Sequence, residues 1–218
     1  MDQKIALIVG PGHAGLGEAL ATRFGHRGYT IALLGRKQAP LDALVTTLAA
    51  EHINVFAVTA DLGNQSSLAA AIKSVTSQGT LQVVIYTATM RTKNKPSSLD
   101  QDVLTESLIS NLLGAVTLTH LALPYVKQAG DGVLLYTGSI VAAKPGITDI
   151  EQSIGKVGLR NYVLALNKEL AGSGVFAGMV TINTYIRKGR PGHMDPMVIA
   201  KAFEDLAVAR NKAEVAYH

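Results

Sequence analysis

Apolar and polar positions alternate between two periods along this chain. Short β-branched or aliphatic runs are followed by longer stretches with helical spacing. Residues 4–9, Tyr29 to Leu34, Asn54 to Ala60, Leu81 to Thr87, Gly132 to Thr137 and Gly178 to Asn183 read as six strands. Between and after them the spacing predicts helices over Gly15 to Arg27, Leu41 to His52, Ser66 to Ser77, Gln101 to Gln128, Glu151 to Ala171 and Asp195 to Ala209. Pro124 is expected to disturb the end of the long Gln101–Gln128 helix. The segment Glu214 to His218 opens as a further short strand, and the last sheet edge is expected to be truncated or completed by a partner.

Strict alternation of strand and helix implies parallel strands joined by helical crossovers, with both sheet faces covered. The strands are apolar almost throughout, as expected of strands buried on both faces. No repeat, low-complexity tract or change in composition marks a boundary. The expectation is therefore an α/β fold, a doubly wound parallel sheet of the Rossmann type, forming a single domain over residues 1–218.

Composition sharpens this picture. The chain has 218 residues, 48% apolar and 17% charged, below the ~25% charge of an average soluble domain. Such a chain buries enough surface to fold, which excludes a disordered protein. Ser107 to Val126 holds no Lys, Arg, Asp or Glu and is long enough to span a bilayer. Asn111, His120, Pro124 and several hydroxyl residues in it point to a buried helix instead, and no membrane contact is expected. There is no cysteine, so disulfides, thiolate metal sites and cysteine nucleophiles are excluded; no metal site is expected, and a cytoplasmic location fits. The formal charge of +4 is spread along the chain, with one tight cluster at Arg187-Lys188-Gly189-Arg190. Without a basic stripe or reader motif, no nucleic-acid partner is expected.

The first strand runs into Val9-Gly10-Pro11-Gly12-His13-Ala14-Gly15-Leu16-Gly17. Glycines between a strand and a helix let the backbone turn tightly and approach a pyrophosphate, which the helix N-terminus then receives. The second strand ends Gly35-Arg36-Lys37. An acid there selects the ribose 2′-hydroxyl of NAD, and a base accommodates the 2′-phosphate of NADP. Arg36 and Lys37 favour NADP over NAD.

Gly15-Leu16-Gly17 after a short N-terminal strand resembles the short-chain dehydrogenase/reductase superfamily, over nearly the whole chain. The glycine loop is one residue off the family's usual spacing, and the Asn-Asn-Ala-Gly usual after the fourth strand reads Tyr86-Thr87-Ala88-Thr89, retaining only Ala88. The resemblance implies that Gly10, Gly12, Gly15, Leu16, Gly17, Arg36, Lys37, Asp61, Leu62, Ala88, Lys156 and Ile186 bind the cofactor. Asp61-Leu62 matches the adenine-contacting pair, and the Ile186 backbone matches the carboxamide contact. Asp61 as a turn cap is the plainer alternative.

The same resemblance implies a catalytic Asn111, Ser139 and Lys156, with a small carbonyl or alcohol substrate. The family's proton-donating Tyr stands four residues before the Lys, on the same helix face. Here that position is Gln152. An amide is no general acid near neutral pH, so the proton chemistry is altered or impaired. Tyr162, Ser153, Asp149, Glu151, Tyr185 and His13 are the substitutes to weigh, Tyr185 first. Arg187 to His193 would form the substrate loop. Two functions follow: an NADP-dependent oxidoreductase with changed proton supply, or a catalytically inactive NADP-binding sensor or interaction protein. The uncharged helix Ser107–Val126 and the helix from Gln152 to Ala171 occupy places that build homodimers in this family, so a homodimer or homotetramer is expected.

Overall fold

The computed structural model describes residues 3–12 and 15–218. Among them the chain forms seven strands, all parallel, in one sheet: β1 (Lys4–Val9), β2 (Thr30–Gly35), β3 (Val55–Thr59), β4 (Thr80–Tyr86), β5 (Gly132–Ser139), β6 (Val175–Ile182) and β7 (Glu214–Tyr217). The order across the sheet is β3-β2-β1-β4-β5-β6-β7. Six helices cover it: α1 (Leu16–His26), α2 (Gln38–Ala50), α3 (Gln65–Thr76), α4 (Gln101–Gln128), α5 (Ile150–Glu169) and α6 (Pro196–Ala209). The order reverses between β1 and β4, which opens a crevice at the carboxyl ends of the strands.

Period-2 alternation divides the core into two layers. Ile5, Leu7 and Val9 of β1 point to one face, where Leu68 and Ile72 of α3, Leu118 of α4 and Leu159 of α5 meet them. Ala6 and Ile8 point to the other, against Leu20 and Phe24 of α1, Leu48 of α2 and Phe203 of α6. Burying both faces explains the unbroken apolar strands and the low charge.

The helix boundaries follow local chemistry. Asn64 caps α3, its side chain accepting from the Ser67 N–H, and Asp195 caps α6 by accepting from Met197. Pro196 then sits in the first turn, where a missing N–H costs nothing. Helix α2 begins at Gln38 rather than Leu41. Pro40 does not delay it, because first-turn N–H groups have no intrahelical acceptor to lose.

Two other expectations are corrected. Strand β6 starts at Val175, not Gly178; Gly178 lies inside it because a Cβ there would come within 2.6 Å of the Phe176 ring and 3.1 Å of Leu206. Helix α4 runs to Gln128 as expected, with Pro124 inside it. The last sheet edge is built by this chain's own β7, paired with β6 from Met179–Glu214 to Ile182–Tyr217. Arg160 of α5 pins it, its guanidinium 2.7 Å from the Glu214 carboxylate.

Helix α4 is long and apolar enough to cross a membrane by length and composition, with a mean hydropathy of 1.3 over its best window. Here Ser107, Asn111, Ala115, Leu118, Ala122 and Val126 are buried against the sheet and α5, while Leu113 and Tyr125 remain partly exposed. The helix is not uniform. Ile109 to Leu113 forms a π turn, a feature that concentrates at functional sites. The Tyr86 hydroxyl donates to the Ser110 carbonyl of that turn at 2.7 Å. Asn111 lies at its centre.

Candidate active site

Two adjoining cavities, each of about 350 Å³, lie at the carboxyl ends of the strands. Thr89 lines both, so they form the two ends of one cleft.

The first end is built on the glycine turn. Gly10 has φ +73°, and a Cβ there would lie 2.5 Å from the Ala88 Cα; only glycine fits both the conformation and the contact. Gly12 has open space where a side chain would stand, so its backbone is accessible from the groove it lines. Gly15 is the left-handed residue preceding α1, and Gly17 lies so near Pro11 that a Cβ would stand 2.2 Å from its carbonyl oxygen. Leu62 and Ala88 also line this groove. Its charged lining among the described residues is Arg36 and Lys37, both exposed. An open glycine backbone, a helix N-terminus and two cations without an acid fit a phosphate-bearing dinucleotide. Asp61 does not line the groove; its Oδ1 accepts from the Gly63 N–H at 2.9 Å, the turn-capping role.

The second end gathers Ser139, Gln152 and Lys156 with Leu16 and Ile186 in one cavity. Ser139 ends β5, and its Oγ accepts from the Val141 N–H at 3.4 Å, leaving the hydroxyl hydrogen available. Gln152 and Lys156 stand one turn apart on α5, so both reach the cavity. Lys156 is 2% exposed and donates to the Thr137 carbonyl at 2.8 Å. Burial lowers its pKa to about 8.

Asn111 does not line this cavity; it acts from behind. Its amide nitrogen donates to the Met90 carbonyl at 2.8 Å and to the Ser107 hydroxyl at 2.9 Å. Its Oδ1 accepts from the Thr89 hydroxyl at 2.9 Å, and Thr89 in turn accepts from the Gln152 side-chain amide at 3.0 Å. Helix α5 comes close enough because Gly155 faces Asn111: a Cβ there would lie 2.6 Å from the Asn111 Cβ.

Of the substitutes for a proton donor, Tyr185 and Asp149 line the cavity. Tyr185 is 63% exposed, with the Arg187 guanidinium 5.7 Å from its ring centre. Tyr162 packs on the core layer beneath the sheet instead. Ser153 is buried and donates back to the Asp149 carbonyl. Glu151 is fully buried and accepts from the backbone and hydroxyl of Thr92. His13 falls outside the described residues. The basic cluster disperses, with Lys188 pairing to Glu18 of α1 at 2.8 Å.

Thr89 and Arg91 of the cavity lining were not anticipated as functional residues. Thr89 follows Tyr86-Thr87-Ala88, where only Ala88 was expected to reach the cofactor, and no local motif marks Arg91.

Comparison with known proteins agrees with this geometry. A family model described as short chain dehydrogenase matches residues 4–187. An uncharacterized oxidoreductase of Staphylococcus aureus strain MW2 is 27% identical over 210 residues, covering 93% of this chain and 90% of that protein. Among solved structures, a metagenomic short-chain oxidoreductase in complex with NADP superposes with a TM-score of 0.87 at 20% identity, covering 98% of this chain and 96% of that one. An NADPH-bound short chain oxidoreductase from Pseudomonas aeruginosa PAO1, described as containing an atypical catalytic center, gives 0.88 at 17% identity, covering 97% and 95%. With residues 4–187 matched by one family model, this chain belongs to the short chain dehydrogenase family.

Proposed function

We propose that this protein is an NADP-dependent oxidoreductase acting on a small carbonyl or alcohol, with a proton supply altered by Gln152. The observation that carries the reading is the convergence of Ser139, Gln152 and Lys156 in a cavity continuous with a groove whose charged lining is Arg36 and Lys37. A structural neighbour with NADPH bound is itself described as having an atypical catalytic center, so a changed centre and a bound cofactor coexist elsewhere in this fold.

In this reading the groove holds the adenosine and pyrophosphate through the Gly10–Gly17 turn, the 2′-phosphate through Arg36 and Lys37, and the adenine edge through Leu62, with Asp61 beside it. The Ile186 backbone takes the carboxamide. When bound, the reduced nicotinamide supplies a hydride. The chain's own residues do the rest. Ser139 offers its hydroxyl hydrogen to the substrate carbonyl oxygen. Gln152, held by Thr89, offers a second amide hydrogen to the same oxygen without being able to release it as a proton. The Lys156 charge, in a poorly solvated pocket, stabilises negative charge developing on that oxygen and orients the ribose. Tyr185, at the open side, delivers the proton. The domain spans the whole chain, and the partly exposed Leu113 of α4 with Ile154 and Val157 of α5 form the face of a homodimer.

NADPH and NADH fluorescence titrations followed by an absorbance assay over a carbonyl panel test this reading. Tighter NADPH binding with slow turnover is expected. Binding with no turnover by any carbonyl supports the sensor instead, and absence of nucleotide binding overturns both.

A further inference from the structure

The loop leaving β4 is fastened along its length, with Thr89 and Met90 bound to Asn111 between its two ends. Its first hydroxyl, Thr87 Oγ1, donates to the Gly10 carbonyl at 2.8 Å. Further on, residues 91–94 lie along the start of α5. Arg91 places Nε and Nη2 on Asp149 Oδ2, at 3.0 and 2.9 Å. Thr92 donates its N–H to Glu151 Oε1 at 2.7 Å, and Asn94 donates its N–H to the Thr148 carbonyl at 2.9 Å. Asp149 is 5% exposed and Glu151 is fully buried. A loop on the rim of an open cavity is thereby held by buried carboxylates.

This arrangement fixes one side chain that faces the cavity. Arg91 lines it with Ser139 and Gln152, and its side chain is half exposed. Its Nε–Nη2 edge is committed to Asp149. Its Nη1 has no protein acceptor among the described residues. A guanidinium so oriented retains a planar pair of N–H donors, the geometry that matches a carboxylate. The charged lining of the cavity among the described residues is Arg91, Asp149 and Lys156. With Asp149 consumed by Arg91, the excess is positive.

We infer that Arg91 is a specificity residue that receives a carboxylate of the substrate, so the compound turned over is a small oxo acid or the corresponding hydroxy acid. This rests on the oxidoreductase reading of the cleft. One guanidinium edge suits a planar monoanion; a phosphate dianion would call for more donors than this wall provides. The cavity of about 350 Å³ admits a compound of a few carbons beside the reacting end of a cofactor. In the cationic cluster Arg187 to Arg190, Lys188 is engaged by Glu18.

The test uses the NADPH-loaded protein with glyoxylate, pyruvate and succinic semialdehyde, each paired with its methyl ester. The acids are expected to exceed their esters in kcat/KM by roughly tenfold to a hundredfold, mainly through KM, the range of a charge-assisted bidentate contact. Arg91→Lys keeps a cation beside Asp149 but loses the planar edge, and the double variant R91Q/D149N removes both charges together so that neither is left buried alone. Both should bring the acid-to-ester ratio close to one. A second reading comes from binding: oxamate should raise the unfolding temperature of the NADPH complex in the parent and not in the variants, and neutral oxamide should do so in none. If no carbonyl is turned over, the oxamate shift decides. Equal treatment of acids and esters, or an oxamate shift unaffected by the variants, overturns the role of Arg91 while leaving the cofactor reading in place. Failure to bind NADPH overturns that reading instead.

Discussion

The two ends of the cleft are made of different materials. The groove on the β1–α1 side is formed by the backbone of the glycine turn and by apolar side chains such as Leu41, Leu44, Leu62 and Ala88, with two exposed cations at its rim. The reaction end is formed by side chains from four separate segments: Ser139 on β5, Gln152 and Lys156 on α5, Thr89 and Arg91 on the loop after β4, and Tyr185 after β6. A site of backbone survives a one-residue change in its turn, because phosphate is met by whichever N–H groups the helix start presents. A site of side chains changes its chemistry with a single replacement. At the reaction end Gln152 and Thr89 are hydrogen-bonded to each other at 3.0 Å, so a change at either is felt by both. They form one connected unit.

The largest expected effect tests whether the rest of that unit is equipped for catalysis. Gln152→Tyr places a phenol one turn before a buried lysine cation. General acid catalysis is typically worth 10²–10⁴-fold, or roughly 3–5 kcal/mol of barrier, and turnover of a carbonyl by the variant should rise by that order. Thr89 stands where the new ring must go, so the double variant Q152Y/T89G is the companion measurement. If neither variant raises steady-state turnover while both still bind NADPH, the roles given to Ser139 and Lys156 are wrong.

Lys156 distinguishes the two ends through stability. Its pKa is lowered from 10.5 to about 8 by burial, so the charged form is disfavoured in the folded state. Between pH 8 and 10.5 the unfolded chain binds more protons at this residue, and stability rises with pH across that window. Below pH 8 the penalty is fully present, and above 10.5 it is gone. A shift of this size corresponds to about 3 kcal/mol. Lys156→Met should therefore raise the unfolding temperature at pH 7, by less than this because the bond to the Thr137 carbonyl is lost, and the gain should vanish by pH 11. Thermal unfolding from pH 6 to 11 reads the difference. A variant less stable than its parent at every pH would mean that the charge is well compensated where it lies.

The same contrast governs what could be read from residues alone. The parallel sheet covered on both faces follows from the alternation of strand and helix, and period two then sends Ile5, Leu7 and Val9 to one layer and Ala6 and Ile8 to the other. The glycine turn and the pairing of Gln152 with Lys156 on one helix face follow from local spacing. The π turn around Asn111 does not, because helical periodicity over Gln101 to Gln128 is continuous and the Ser110 carbonyl of the turn is met by a distant hydroxyl, that of Tyr86. Nor does the fastening of Arg91 and Thr92 to Asp149 and Glu151, which joins residues some 58 positions apart through a loop with no periodic pattern. Asp61 was legible by position, but its side chain is drawn by Gly63 two residues on, a local competition of the kind short polar residues often win.

Gly155 tests how closely the two helices behind the reaction end must approach. In Gly155→Ala the new methyl would lie 2.6 Å from the Asn111 Cβ, so α4 or α5 has to move. Overpacking costs typically 1–3 kcal/mol, and the better helix propensity of alanine returns up to about 1. A net loss of about 1 kcal/mol is expected in chemical denaturation. Asn111 orders Thr89 and Thr89 orders Gln152, so carbonyl turnover should fall while NADPH affinity changes little. An equal loss of both would show that the ends are mechanically coupled.

The most local effect concerns the exposed cations. Replacing Arg36 and Lys37 together by serine removes contacts to the 2′-phosphate that NADH lacks. A charge-assisted bond to a solvated group lies at the low end of its range, so NADPH affinity should fall by roughly tenfold with NADH nearly unchanged. Because both side chains are exposed, the preference should shrink as salt is raised from 50 mM to 500 mM. The turn itself, with its open backbone at Gly12, should keep binding the pyrophosphate common to both cofactors. Equal weakening of NADH and NADPH would mean that the pair steers anions generally and reads no 2′-phosphate, and the nucleotide end would then owe its selectivity to something other than its side chains.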